Sequence, residues 1–219
     1  MAELLDFCAV SGTGLIPGSA LRASGMTTYT VRQLLVRGEL AQVRRGWYVL
    51  GHQWRDARPE ERYRYLVRAT AAQSRAELVL SHHSAAVMHG LPLIGPWPAT
   101  AHALFPDAAG GSSHRLLTSH RTLADPQPIV IDGVTVTSLT RTVVDMAAGS
   151  TFLVGVTMVD HVLHQEEVRL QREQRTGLRG AVPITKESLL AELLLVHPRI
   201  GRRRRAGHRL RERALSQPG

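Results

Sequence analysis

The chain has 219 residues, of which 43% are hydrophobic and 21% charged, enough for one large domain or two small ones with an ordinary core. A formal charge of +9, carried by 26 arginines and the single lysine Lys186, favours a polyanionic partner. One cysteine, Cys8, excludes an internal disulfide, a thiolate zinc site and an iron–sulfur cluster within one chain, and suits a reducing cytoplasm.

Taken in chain order, the N-terminus carries a short apolar run between Glu3 and Asp6, without the basic start and long apolar core of a signal peptide. Residues 17–24 predict a short helix broken by Gly25. A second helix is opened by Thr27 or Thr28 and closed by Gly38. Its Val31, Leu34 and Leu35 recur at the spacing of one buried face. Tyr29, Gln33 and Arg37 then point outward with Arg32 on the flank, and these include types that hydrogen-bond base edges in a major groove. A hairpin follows, turning at Arg44, Arg45 and Gly46; Leu40, Val43, Tyr48 and Val49 pack it onto the helices, and Arg44 and Arg45 fall at its tip, near phosphates. That order is the layout of a winged helix over residues 1–54. The competing reading, favoured by apolar Val36 on the outward side, is a surface for another protein.

Residues 51–58 are polar and read as a linker to a second domain, 59–219. Pro59 opens a helix where a missing amide proton costs nothing, with Glu60 and Glu61 in the favourable first turn and a stripe of Tyr63, Leu66, Val67, Thr70 and Ala71. A buried strand is expected at 78–80, and a helix capped by Ser81 that runs to His89 and stops at Gly90. Strands at 100–105 and 115–119 flank a small-residue loop at 108–113. Asp132-Gly133 supplies the positive φ of a hairpin between 129–131 and 134–136. Thr137 or Ser138 caps a helix to Gly149, a longer helix covers 152–172, and residues 171–183 read as a loop. Thr185 caps a leucine-rich helix to Val196, too short to span a bilayer, which takes roughly 20 residues. The tail from 199 to 213 holds eight arginines against one acid, Glu212. The expected class is α+β: an N-terminal winged helix, a mixed α/β domain and C-terminal helices.

Two phrases, SHHSAAVMHGLP at 81–92 and DGVTVTSLTRTVVDMA at 132–147, follow a RRGWYVL wing. In this order they resemble the AbiEi-like antitoxins of type IV toxin–antitoxin systems, over roughly residues 14–160. The resemblance implies a winged helix that binds inverted repeats in its own promoter, an α/β domain without catalysis, and a neighbouring nucleotidyltransferase-like toxin. Longer relatives continue into a module similar to very-short-patch-repair endonucleases, and no residue here supports a nuclease.

Other chemistry reads as structural. His82, His83 and His89 with Ser81 and Ser84 suggest a metal or nucleophile site, but adjacent helical histidines face different ways and no carboxylate accompanies them. Asp160, His161 and His164 are explained by an exposed helical face, and Arg141 with Asp145 by an i, i+4 ion pair. No phosphate-binding glycine loop, nucleophile elbow or acid cluster is present, so neither catalysis nor a metal or cofactor is expected. The tail cations Arg202, Arg203, Arg204, Arg205 and Arg209 admit three readings: a solvated tail, an auxiliary nucleic-acid contact, or a surface for an acidic partner. An RNA-binding role lacks a stacking surface, since aromatics are 5% of the chain. The sequence therefore reads as a cytoplasmic, non-membrane, double-stranded-DNA-binding autorepressor and antitoxin, with a protein-docking module or an orphan regulator as alternatives.

Overall fold

The computed structural model describes residues 2–74, 77–105, 113–114, 117–121, 125–177 and 180–196. The chain opens with α1 (Ala2–Cys8), β1 (Ile16–Pro17), α2 (Gly18–Ala23) and α3 (Thr28–Val36). The hairpin β2 (Leu40–Arg44) and β3 (Trp47–Leu50) completes an antiparallel sheet of order β1-β3-β2. Thr27 caps α3 by accepting the Thr30 amide at 3.1 Å. Gly25 and Gly38, both at positive φ, make the breaks on either side of it. Leu5, Cys8, Ile16, Leu21, Met26, Leu34, Leu40 and Leu50 form one buried cluster, with Val31 and Leu35 packed against it. The short apolar run at the N-terminus is therefore a helix that closes this core from behind.

The expected linker is not one. Gly51–Asp56 is a helix, α4, anchored by the Gly51 amide on the Glu39 carbonyl at 2.8 Å and by Arg55 Nη1 on the Gly38 carbonyl at 2.8 Å. A Cβ on residue 51 would sit 1.8 Å from the Gly38 oxygen, so only glycine allows this approach. Composition misleads here because the polar side chains of a short helix cover one surface while its backbone is spent on the neighbouring turn. The next helix, α5 (Pro59–Gln73), starts as expected, with Glu61 Oε2 accepting the Arg58 amide at 2.7 Å. Arg62 reaches back to the Trp54 and Arg55 carbonyls at 3.0 and 3.1 Å. Leu15, Val49 and Ala69 are buried together, so the N-terminal elements share a small core with α5.

The second half is a six-stranded mixed sheet with helices. Its strands are β4 (Val79–Leu80), β5 (Ala101–Phe105), β6 (Ser113–His114), β7 (Leu117–Arg121), β8 (Pro128–Ile131) and β9 (Val134–Thr137), in the order β6-β7-β5-β4-β9-β8. The β4–β9 and β5–β7 pairs are parallel and the others antiparallel. Asp132 and Gly133 turn β8 into β9 with both residues at positive φ, as their types predict. The helices are α6 (His82–Met88), α7 (Leu139–Gly149), α8 (Phe152–Thr176) and α9 (Lys186–Val196). α6 joins two cores: Ala85, Val87 and Met88 pack with Tyr63 and Val67 of α5 on the sheet. Ala86 packs with Val143, Met146, Met158 and Leu189 of α7, α8 and α9.

With mixed helices and strands, the class is α+β. α8 runs four residues beyond its expected end and stops at Gly177, in the left-handed conformation. Glu166 and Glu173 grip Arg169 along it, and Glu166 Oε1 also takes the Ile184 amide at 2.8 Å, tying the following segment back to the helix. No described helix is long and apolar enough to cross a membrane. The arginine-rich tail, with Arg202, Arg203, Arg204, Arg205 and Arg209, lies outside the described residues, as does most of the 108–113 loop.

Candidate functional site

The buried stripe of α3 leaves its opposite face uncovered. Tyr29 is 72% exposed and Val36 76%, with Arg32 and Arg37 exposed beside them and Gln33 half-buried on the same side. Arg37 lies 4.0 Å from Glu39, an exposed and loose contact worth at most about 1 kcal/mol. Its guanidinium is thus free to take another partner at little cost. The sequence placed Arg32 on the flank and Gln33 among the outward-pointing residues. In the fold Arg32 is exposed and Gln33 half-buried.

At the hairpin tip the two arginines part company. Arg45 is exposed, and its carbonyl accepts a hydrogen bond from Gln73 Nε2 of α5 at 3.4 Å. Arg44 turns inward: its Nη1 donates to Thr70 Oγ1 on α5, its Nε is buried, and burial lowers its pKa. The expectation that Arg44 sits at the tip beside phosphates is corrected accordingly. A bulge is the reason: β2 pairs regularly with β3 to Gln42, then the register shifts before Arg44 meets Trp47. The extra residue breaks the two-residue alternation and turns Arg44 to the α5 side. The β2–β3 hairpin therefore leans on α5 through Arg44, and Arg45 remains its exposed cation.

A second arrangement escaped the sequence. His82 at the start of α6, His83 beside it, His102 on β5 and His120 on β7 come together where α6 meets these two strands. The His82 and His120 rings stack with centroids 3.5 Å apart, and His102 Nδ1 lies 2.9 Å from His120 Nε2. One of these two nitrogens must donate, so the pair holds at least one shared proton. Ser81 Oγ meets His82 Nδ1 at 3.0 Å, and His82 itself sits at φ 49°, a conformation most side chains avoid. Nearby, Arg141 Nε bonds Asp145 Oδ2 at 2.9 Å, each residue 2% exposed.

The electrostatics keep these imidazoles neutral. Burial pushes His82 down to about 3, against the pull of the Asp145 carboxylate, and pushes His102 down to about 3 with help from the neighbouring histidines. His83 and His120 are lowered by burial as well. Among the described residues, no group of three or more His, Cys, Asp or Glu side chains could hold a metal ion. The cluster is a packed polar network. Separately, at the other end of α6, His89 Nε2 meets the Thr137 carbonyl at 2.9 Å.

Only three-dimensional pairing reveals this, since His102 and His120 belong to strands 18 residues apart that pair in parallel. One signal was legible. The two phrases at 81–92 and 132–147 face each other here: His82 lies in the field of Asp145, and His89 bonds Thr137. Asp160, His161 and His164 stand apart on α8, Asp160 and His164 exposed. Comparison of the chain with family models and with curated proteins returns no match.

Proposed function

We propose that this is a DNA-binding transcriptional regulator whose N-terminal elements act as a winged helix, with α3 as the recognition helix. The supporting observation is the uncovered face of α3, where Tyr29, Arg32, Gln33 and Arg37 stand together on a chain of formal charge +9. Gln33 and Arg37 read base edges, while Arg32 and the exposed wing cation Arg45 hold phosphates. Following the resemblance of the 81–92 and 132–147 phrases, the regulated DNA is the protein's own promoter, with inverted repeats. The protein is then the non-enzymatic, cytoplasmic antitoxin of a type IV pair whose toxin is a nucleotidyltransferase-like enzyme. The tail arginines Arg202 to Arg205 and Arg209 add non-specific affinity.

Fluorescence anisotropy with the chain's own upstream DNA, repeated over a series of salt concentrations, tests this. Steep salt dependence and a preference for the promoter over random sequence are expected, because arginine contacts release condensed counterions. A flat salt response or equal binding to random DNA overturns it. A second reading has its own support: Tyr29 and Val36, both more than two-thirds exposed, make α3 apolar enough to dock a protein. Finding a nucleotidyltransferase-like reading frame next to this gene would support the antitoxin role, and its absence would leave an orphan regulator.

A further inference from the structure

An open cleft of about 550 Å3 lies where the loop between α1 and β1, helix α4 and helix α5 meet. That volume falls within the roughly 300–1,000 Å3 of small-molecule sites. Its long wall is one stripe of α5, formed by Glu61, Arg64, Tyr65 and Arg68, and Asp56 at the end of α4 faces it. These positions are spaced i, i+3, i+4 and i+7, so they share a single side of the helix.

The charges on this wall are not used up by one another. Glu61 and Arg64 are three residues apart, the same interval at which Glu166 and Arg169 bond at 2.6 Å, yet among the described residues no ion pair joins them. Each is held by backbone instead: Glu61 Oε2 by the Arg58 amide at 2.7 Å, Arg64 by the Val87 carbonyl at 2.9 Å from Nη2 and 3.3 Å from Nε. Arg64 therefore has no carboxylate partner among the described residues, and Glu61 has no cationic one. Asp56 likewise joins no described ion pair, whereas Arg68 is bound to Asp132. The cleft thus presents two anions, Glu61 and Asp56, and one cation, Arg64, none in a described ion pair, with the Cβ atoms of Glu61 and Arg64 about 5–6 Å apart and the Tyr65 ring next to them.

From this wall we infer that the cleft binds a free α-amino acid, its ammonium on Glu61 and Asp56, its carboxylate on Arg64, and its side chain along Tyr65. Arg64 spends its Nε and Nη2 on the Val87 carbonyl and keeps its Nη1–Nη2 edge for a carboxylate, while an ammonium between Glu61 and Asp56 is shared by two anions; a zwitterion is the ligand class that offers a partner to each kind of charge on this wall. A regulatory meaning for this site rests on the DNA-binding reading, since α5 also carries Thr70 and Gln73, which touch the wing. The binding itself does not rest on it, and its test uses no DNA.

The full-length protein is screened by thermal melting with the twenty L-α-amino acids singly, and hits are measured by calorimetry. At least one should raise the melting temperature saturably, as a ligand selective for the folded state must. The carboxamide and N-acetyl derivatives of that amino acid should bind at least about ten-fold more weakly, as should the parent compound to Arg64→Gln and Glu61→Gln. Asp56→Asn should bind it several-fold more weakly; Asp56 is exposed and makes no described bond, so this variant keeps the decision open should the α5 variants fail to fold. The proposal is overturned if no amino acid stabilises the protein. It is equally overturned if the derivatives bind as well as the parent, or if Asp56→Asn and the folded α5 variants bind like wild type.

Discussion

Arg44 and Arg45 are neighbours in sequence with opposite duties in the fold. Arg45→Ala should weaken binding to all DNA sequences and reduce the salt slope by about 1, with the melting temperature unchanged. Arg44→Ala should lower the melting temperature instead, because it removes the donor that Thr70 Oγ1 accepts and empties a half-buried position between the β2–β3 hairpin and α5. Anisotropy and thermal melting on the two variants separate these outcomes; the reverse assignment would mean that the bulge does not turn Arg44 inward. Gly51 offers a second test at this scale. Gly51→Ala forces a Cβ into the Gly38 carbonyl and should cost about 1–3 kcal/mol in urea denaturation.

Among the elements, α3 carries the functional reading and α7 carries a structural liability. Gln33→Ala and Arg37→Ala should each alter the sequence preferred in a binding-site selection, a bidentate base contact discriminating by roughly 1–3 kcal/mol. Unchanged selectivity in both would show that the exposed face of α3, with Tyr29 and Val36, serves a protein partner. In α7, Arg141 and Asp145 are fully enclosed, where an ion pair contributes little net stability but is costly to break. Arg141→Met leaves the Asp145 carboxylate beside neutral histidines and should cost about 3–5 kcal/mol, read from the denaturation midpoint. The same substitution would also weaken the junction of the 81–92 and 132–147 phrases. The spacing of the pair was legible as i, i+4; its burial was not, because burial depends on α6 and the sheet covering that side of α7.

For the whole molecule, acid is the informative perturbant. His82 and His102 titrate near 3 in the folded protein, against an ordinary value of 6.5. Between those values the unfolded chain binds more protons than the folded one, so stability rises with pH across this window. The protein should therefore hold full stability above about pH 6.5 and lose it progressively toward pH 3, seen as a falling denaturant midpoint. His102→Asn should flatten that slope; an unaltered slope would place the acid-sensitive groups elsewhere. Chain cutting bears on the whole as well. A fragment ending at Gly51 exposes Leu15 and Val49, which α5 buries with Ala69, and should fail to unfold cooperatively by circular dichroism; one ending at Gln73 retains that packing.

Local rules carry the sequence a long way in this protein. The Thr27 cap, the Gly25 and Gly38 breaks, the Val31, Leu34 and Leu35 stripe and the Asp132-Gly133 hairpin were all readable, because each depends on backbone conformations or periodicities set by residues within a few positions. The α+β class followed from the order of such elements. Three features were decided only by the tertiary structure. The polar stretch from 51 to 56 is helical because the turn at Gly38 and Glu39 accepts its first turn. Arg44 faces inward because a bulge, formed only against β3, shifts its side. The histidines of α6, β5 and β7 meet, and stay neutral, because parallel pairing of β5 with β7 and the packing of α6 remove their water. Propensity acts along the chain, whereas register and desolvation are set between segments far apart in it, and no stretch of sequence holds that information alone.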